Sequence, residues 1–251
     1  MRIAALYDIH GNLPALEAVL AEVRQTGIDR IVVGGDVFPG PMPRETLACL
    51  LDTDTPVHFI HGNGDREVLA QMIGTETDWY RSSREEWKAP VRWAAEQLRP
   101  ESQRLIRDWP ATCRLEVERL GAVLFCHATP RNDTDCFTEL TPEERLLPIF
   151  QDVDAHVVIC GHTHMQFDRK VGQVRVVNAG SVGMPFGEPG ADWLLLGPDV
   201  ELRHTEYDLP IAAEAIRQTS YPQAEEFASH HVLKPPSRAQ MLEAFSRAEL
   251  T

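Results

Sequence analysis

Within its first sixty residues the chain alternates three short apolar runs with two stretches of helical spacing, and this alternation limits the available folds more than any other feature. Residues 3–7 read as a strand buried on both faces. Leu13, Leu16, Val19, Leu20 and Val23 follow at spacings of three and four, which mark one apolar face of a helix. Residues 31–33 form a second buried run ending in Gly34-Gly35-Asp36, a helix is expected near 44–51, and a third strand at 57–60. A βαβαβ series of this kind calls for a parallel sheet covered by helices, with ligand sites beyond the carboxyl ends of its strands.

After Asp65 the pattern changes. Residues 66–110 read as helical and hold four of the five tryptophans, Trp79, Trp87, Trp93 and Trp109, whose rings either pack this segment onto the body or build a small cap. Strands are expected at 113–117, 122–126, 157–160, 173–177 and 193–196, and they suggest a second sheet facing the first. From Leu209 onward the chain reads as helical, interrupted by Pro222 and Pro235-Pro236, with Met241, Leu242 and Phe245 as the face that docks this tail. The expected organisation is one body over residues 1–205, with 66–110 as an insertion or cap, and a helical tail over 206–251 packed on it.

Composition narrows the partners. The 251 residues carry 38 Asp and Glu against 24 Lys and Arg, a formal charge of −14, which argues against nonspecific nucleic-acid or anionic-membrane binding because phosphate backbones demand a basic surface. A small phosphorylated substrate remains compatible if cations gather at one site. Five cysteines without a C-x-x-C pair fit a reducing compartment, the first residues are too polar for a signal-peptide core, and no apolar run approaches the ~20 residues of a membrane span. A cytoplasmic protein is expected.

Five strand ends carry metal-ligand side chains: Asp8-Ile9-His10, Asp36, Asn63, His127, and His162 with His164 in Gly-His-Thr-His. A single such residue is usually a cap or a hydrogen-bonded surface group, but seven at five strand ends in chain order make a pattern. Carboxylate, imidazole and amide oxygen suit ions such as Mn²⁺, Fe²⁺ or Zn²⁺, and the lack of thiolates argues against a purely structural zinc site. His162 and His164, two positions apart, are expected to point in divergent directions and to serve two different ions.

The ordered series DIH, GGD, GNGD, CHATPR and GHTH resembles that of the calcineurin-like metallophosphoesterases. NAGSVGMP, residues 178–185, is similar to a turn of the small bacterial and archaeal phosphodiesterase branch of that superfamily. The resemblance implies an α/β fold, a four-layer αββα sandwich of two facing mixed sheets flanked by helices. It further implies a binuclear centre of divalent ions (Mn, Fe, Zn, Ni or Co), with Asp8, His10 and His164 on one ion, Asn63, His127 and His162 on the other, and Asp36 bridging. The implied activity is phosphoester hydrolysis, of phosphodiesters first, with a metal-bridging hydroxide as nucleophile. Alternatives are a phosphomonoesterase or nucleotide phosphatase, and a catalytically weak interaction scaffold of the same fold.

Gly64 departs from the pattern, since many members carry a histidine immediately after the asparagine to protonate the leaving group. His10 or His61 is then the candidate proton donor, unless the leaving group needs none, and Gly64→His is expected to restore a ring. Gly62 and Gly64 are expected to let the backbone turn tightly enough to aim Asn63. Arg131 is a candidate phosphate contact, with a structural ion pair as the alternative. Asp65 is expected to fix its loop, and Cys126 and Cys160 to be small core residues.

Overall fold

The computed structural model describes residues 1–247 and 250. In chain order its elements begin with β1 (Ile3–Leu6), α1 (Leu13–Gln25), β2 (Arg30–Gly34), α2 (Pro43–Leu51) and β3 (Val57–Ile60). Four helices follow, α3 (Asn63–Met72), α4 (Asp78–Ser82), α5 (Glu85–Gln97) and α6 (Pro100–Arg107). Next come β4 (Thr112–Val117), β5 (Gly121–Cys126), α7 (Glu143–Phe150), β6 (Val157–Cys160), β7 (Phe167–Val171), β8 (Val174–Asn178), β9 (Ala191–Leu196) and β10 (Val200–Thr205). The tail holds α8 (Leu209–Arg217), α9 (Ala224–Phe227), a π-helical turn at Ala228–Leu233, and α10 (Arg238–Phe245).

Two five-stranded mixed sheets result, in the orders β10-β9-β1-β2-β3 and β4-β5-β6-β8-β7. In β1, Ile3 and Ala5 face the second sheet, clustering with Val32 and Ile60 of their own sheet and Phe125 and Ile159 of the other. Ala4 and Leu6 face the other way, onto the apolar side of α1 with Leu16, Val19 and Leu20. Both faces are dry, so the strand reads as a continuous apolar run rather than an alternating one. On the far side of the second sheet Val158, Cys160 and Val176 pack with Leu146, Ile149 and Phe150 of α7. Helices, sheet, sheet and helix form the four layers of the expected sandwich, and Cys126 and Cys160 are buried in it.

The strand at 191–196 belongs to the first sheet, not the second as its position in the chain suggests, because β9 pairs antiparallel to β1 with Ala4 opposite Leu195. Its pattern is two-sided, with Leu194 and Leu196 facing the second sheet and Trp193 and Leu195 the helices, so it carries no signal of which sheet it joins. β7, β10 and α7 escape the sequence pattern. β7 and β10 are edge strands rich in charge, FDRKV and VELRHT, and α7 is a short helix containing Pro148.

The tryptophans divide. Trp109 stacks on Phe59 at 4.8 Å, and Trp93 meets the tail residue Tyr221 edge-on at 5.3 Å, while Trp79 and Trp87 are exposed. The tail has its own apolar cluster, with Ala212, Ile216, Phe227 and Val232 packed against Met42, Trp93 and Met184. Its expected docking face is weaker than the helical spacing suggests: no residue of α10 is buried, and Phe245 reaches the body through Phe186 at 6.3 Å. Among the described residues no helix is long and apolar enough to cross a membrane.

The turn after β8 locks the two sheets together where the ligand-bearing strand ends meet. Buried Asn178 donates to the Gly161 carbonyl at 2.6 Å and to Thr163 Oγ1 at 3.1 Å, and accepts from the Gly180 amide at 2.9 Å. Ser181 Oγ donates to the Asp8 carbonyl at 2.7 Å, which ties this turn to the end of β1. Asn178→Ala strands the Gly180 amide and is expected to lower the unfolding free energy by about 1–3 kcal/mol. Urea denaturation checks this as a lower midpoint at unchanged slope.

Candidate metal centre

All seven ligand-type residues meet at the carboxyl ends of their strands. The backbone is forced there: Asp8, His10, Asp36, His162 and His164 have positive φ, between 47° and 66°. Only one other non-glycine residue among those described, Arg119, does so. Each left-handed residue costs roughly 1–2 kcal/mol, and such strain persists where surrounding contacts over-determine it, which is typical of functional sites.

Two groupings share the Asp8 carboxylate: Asp8 with His10 and His164, and Asp8 with Asp36 and His127. Asp8 Oδ1 lies 3.2 Å from His164 Nε2 and 3.9 Å from the Nε2 atoms of His10 and His127. Asp36 straddles the site, with Oδ2 3.7 Å from His10 Nε2 and Oδ1 3.6 Å from His127 Nε2. Asn63 completes the second half: one end of its amide lies 3.1 Å from His127 Nε2 and 3.0 Å from His162 Nδ1.

The outer hydrogen bonds fix which ring atoms carry lone pairs. Nδ1 donates to a backbone carbonyl in three histidines: His10 to Pro39 at 3.2 Å, His127 to Gly34 at 3.0 Å, and His164 to Met184 at 2.9 Å. In the neutral rings Nε2 is therefore bare, and it is Nε2 that points inward in all three. His10 Nε2 and His164 Nε2 are only 3.3 Å apart, and buried Asp8 Oδ1 has no hydrogen-bond partner. Lone pairs facing lone pairs in a buried place fit a cation, and carboxylate, imidazole and amide oxygen form the donor set of a divalent transition metal.

Asp65 anchors the Asp36 loop by accepting from the amides of Asp36 at 2.8 Å, Gly62 at 3.0 Å and Phe38 at 3.1 Å. The two glycines around Asn63 serve close approach rather than a tight turn, since Asn63 opens α3 directly. A Cβ on Gly62 would fall 2.2 Å from Asp36 Oδ1, and one on Gly64 2.3 Å from the Phe38 carbonyl oxygen. A histidine at 64 therefore requires the Phe38–Pro39 loop to shift.

Beside the Asn63–His127 half lies a cavity of about 190 Å³ lined by His61, Arg66, Thr112, His127, Arg131 and Asp133, among others. Arg131 pairs with Asp135 through Nε at 2.7 Å and Nη2 at 3.3 Å, so its structural pairing and its place on the cavity wall coexist. Arg66 forks onto Asp133 at 2.9 and 3.1 Å. His61 Nδ1 is buried without a hydrogen-bond partner, 3.7 Å from Asp133 Oδ2. Of the two candidate proton donors, His10 has its nitrogens against the Pro39 carbonyl and His164 Nε2, while His61 lines the cavity.

Asp133, Cys136 and Phe186 are neighbours of this site that sequence reading missed. Phe186 stacks on the His164 ring at 5.2 Å, and Cys136 Sγ lies 3.3 Å from His162 Nε2. No spacing rule marks them, because each lies more than twenty positions from the histidine it touches or on an irregular loop.

Burial, then neighbouring His164, pushes His10 down to about 3, and burial, then His127, does the same to His162. Burial, with the Asp8 charge adding to it, drives Asp36 well above the usual carboxylate range. Burial disfavours charge on both Asp8 and His164, yet their mutual attraction wins, lowering Asp8 and raising His164. Near neutral pH His10 and His162 are thus bare, while the Asp8 carboxylate makes His164 hold a proton more tightly than an ordinary imidazole, and a metal must displace that proton. Affinity for Mn²⁺ is expected to weaken as pH falls through the raised His164 value, with protons released on binding. Calorimetry of the metal-free protein in buffers of different ionisation enthalpy checks this; heats independent of buffer at pH 6.5 would contradict it.

The profile of the calcineurin-like phosphoesterase superfamily domain matches residues 1–197. Protein MJ0912 of Methanocaldococcus jannaschii is 25% identical, over 88% of this chain and 94% of that protein. Phosphodiesterase YfcE of Escherichia coli is 26% identical over 80% and 89% of the two chains. Among solved structures, protein PH1004 of Pyrococcus horikoshii superposes with a TM-score of 0.78 at 23% identity, covering 94% of this chain and 99% of that one. A metallophosphoesterase from Sphaerobacter thermophilus superposes with a TM-score of 0.69 at 24% identity, covering 91% and 97%. With two mixed sheets, inward-facing metal donors at their strand ends and this profile over most of its length, the chain belongs to the calcineurin-like phosphoesterase superfamily.

Proposed function

We propose that this chain is a metal-dependent phosphoesterase acting on phosphodiesters, with two divalent ions at the strand-end cluster. The observation that carries the reading is the convergence of imidazole Nε2 atoms on the Asp8 and Asp36 carboxylates, with buried Asp8 Oδ1 left without a hydrogen-bond partner. Asp8, His10 and His164 would hold one ion and Asn63, His127 and His162 the other, and Asp36, which presents one oxygen to each half, would reach both. Ions so held would supply a hydroxide nucleophile at neutral pH and neutralise charge on the phosphoryl group. The phosphodiesterase name of the 26%-identical Escherichia coli relative supports the preference for diesters.

The remaining roles fall to this chain's own side chains. Arg131 and Arg66 set guanidinium groups on the wall of the cavity beside Asn63, where a phosphate or the group it carries can be held by charge. Their carboxylate partners Asp135 and Asp133 keep those groups oriented before substrate arrives. His61 on the same wall is the group best placed to reach a leaving oxygen in that cavity. The formal charge of −14 favours a small substrate over a polyanion. A cytoplasmic location fits the free cysteines.

The test is hydrolysis of bis-p-nitrophenyl phosphate by metal-free protein resupplied with Mn²⁺. Activity is expected to depend on the metal, and Asp36→Asn is expected to reduce it by at least about 10²-fold, on the order of 2.7 kcal/mol or more of transition-state stabilisation, with no drop in melting temperature. Full activity in that variant, or hydrolysis unaffected by chelation, would overturn the proposal.

A further inference from the structure

The four imidazoles of the cluster are not held alike. His10, His127 and His164 each turn Nε2 inward and anchor Nδ1 on a main-chain carbonyl, an acceptor that no side-chain substitution removes. His162 is reversed. Its Nδ1 faces the Asn63 amide at 3.0 Å, toward the cluster, and its Nε2 points outward to the thiol of Cys136 at 3.3 Å.

The thiol has a direction too. Cys136 Sγ lies 3.7 Å from the Thr134 carbonyl, so its hydrogen goes to that oxygen and a sulfur lone pair is left for the His162 N–H. The chain of donors then runs one way: His162 Nε2–H to sulfur, S–H to the Thr134 carbonyl, and a bare Nδ1 toward the cluster. Sulfur accepts only weakly, so His162 is the least firmly anchored of the four rings.

We infer that Cys136 is the positioning residue for His162: its sulfur fixes the Nε2–H tautomer and so presents Nδ1 to the ion held with Asn63 and His127. The inference rests on the metal reading proposed above only where it concerns affinity. The tautomer belongs to the metal-free chain and can be measured without any ion.

Two measurements test it. In ¹⁵N spectra of the metal-free protein at pH 8, His162 is expected to carry its proton on Nε2, and a proton on Nδ1 would overturn the inference. In calorimetric titrations with Mn²⁺, Cys136→Ala is expected to weaken one of the two ions by about 10–100-fold, the usual effect of losing an outer-sphere partner, and to leave the other within about twofold. Cys136→Ser keeps an acceptor and is expected to recover most of that loss. Unchanged binding in Cys136→Ala, or a loss in Cys136→Ser as large as in Cys136→Ala, would overturn the positioning role. Should Cys136→Ala not fold, the wild-type tautomer and the serine variant still decide. Should no variant and no wild-type protein bind Mn²⁺ at all, the metal reading fails and the tautomer alone decides this inference.

Discussion

The structure is organised around a contradiction that a polypeptide alone does not resolve: electron-rich atoms pressed together in a buried place. Asp8 Oδ1 has no hydrogen-bond partner, and His10 and His164 oppose their Nε2 atoms at 3.3 Å. Unpaired buried polar groups cost on the order of 1–3 kcal/mol each. In the metal-free chain a proton on His164 relieves one of these contacts by pairing with Asp8. Cations relieve them all, and a site built this way is poised to bind metal rather than merely able to.

Holding the arrangement open takes the rest of the fold. Five of the ligand residues sit in left-handed backbone, which is sustained because each is pinned by neighbours. The His10 amide donates to the Asp36 carbonyl and the Asp8 amide to that of Gly35, so the ends of β1 and β2 brace one another. The His162 amide donates to Asp8 Oδ2 at 2.8 Å, which joins the two sheets at the cluster itself. Asp65 and Asn178, each buried and each bound to three partners, complete the bracing from below. Strain at the ligands is thus opposed by hydrogen bonds one layer out.

Much of this was legible in the sequence, for a physical reason. Strands buried on both faces have no polar residues to spare, so DIH, GGD and GNGD stand out where apolar runs end, and the chemistry of the seven donors is visible without coordinates. The parallel core of the first sheet follows from helical spacing between those runs. Other features left no local trace. Edge strands such as FDRKV answer to solvent on one side, and β9 shows a two-sided pattern that either sheet satisfies. The role of Gly64 was misread because a missing side chain looks like freedom to turn, whereas the constraint is the Phe38 carbonyl lying where a Cβ would be. Cys136, Asp133 and Phe186 stayed hidden because contact with a histidine of the site or of the cavity beside it is a property of the fold and not of spacing.

The central claim is that two halves of one cluster, joined by Asp8 and Asp36, form adjacent cation sites. Anomalous diffraction at the manganese edge from crystals soaked in Mn²⁺ measures it most directly. The account predicts two peaks about 3.5–4 Å apart, one beside His10 and His164 and one beside Asn63, His127 and His162. A single peak, or density only at surface carboxylates, would contradict it.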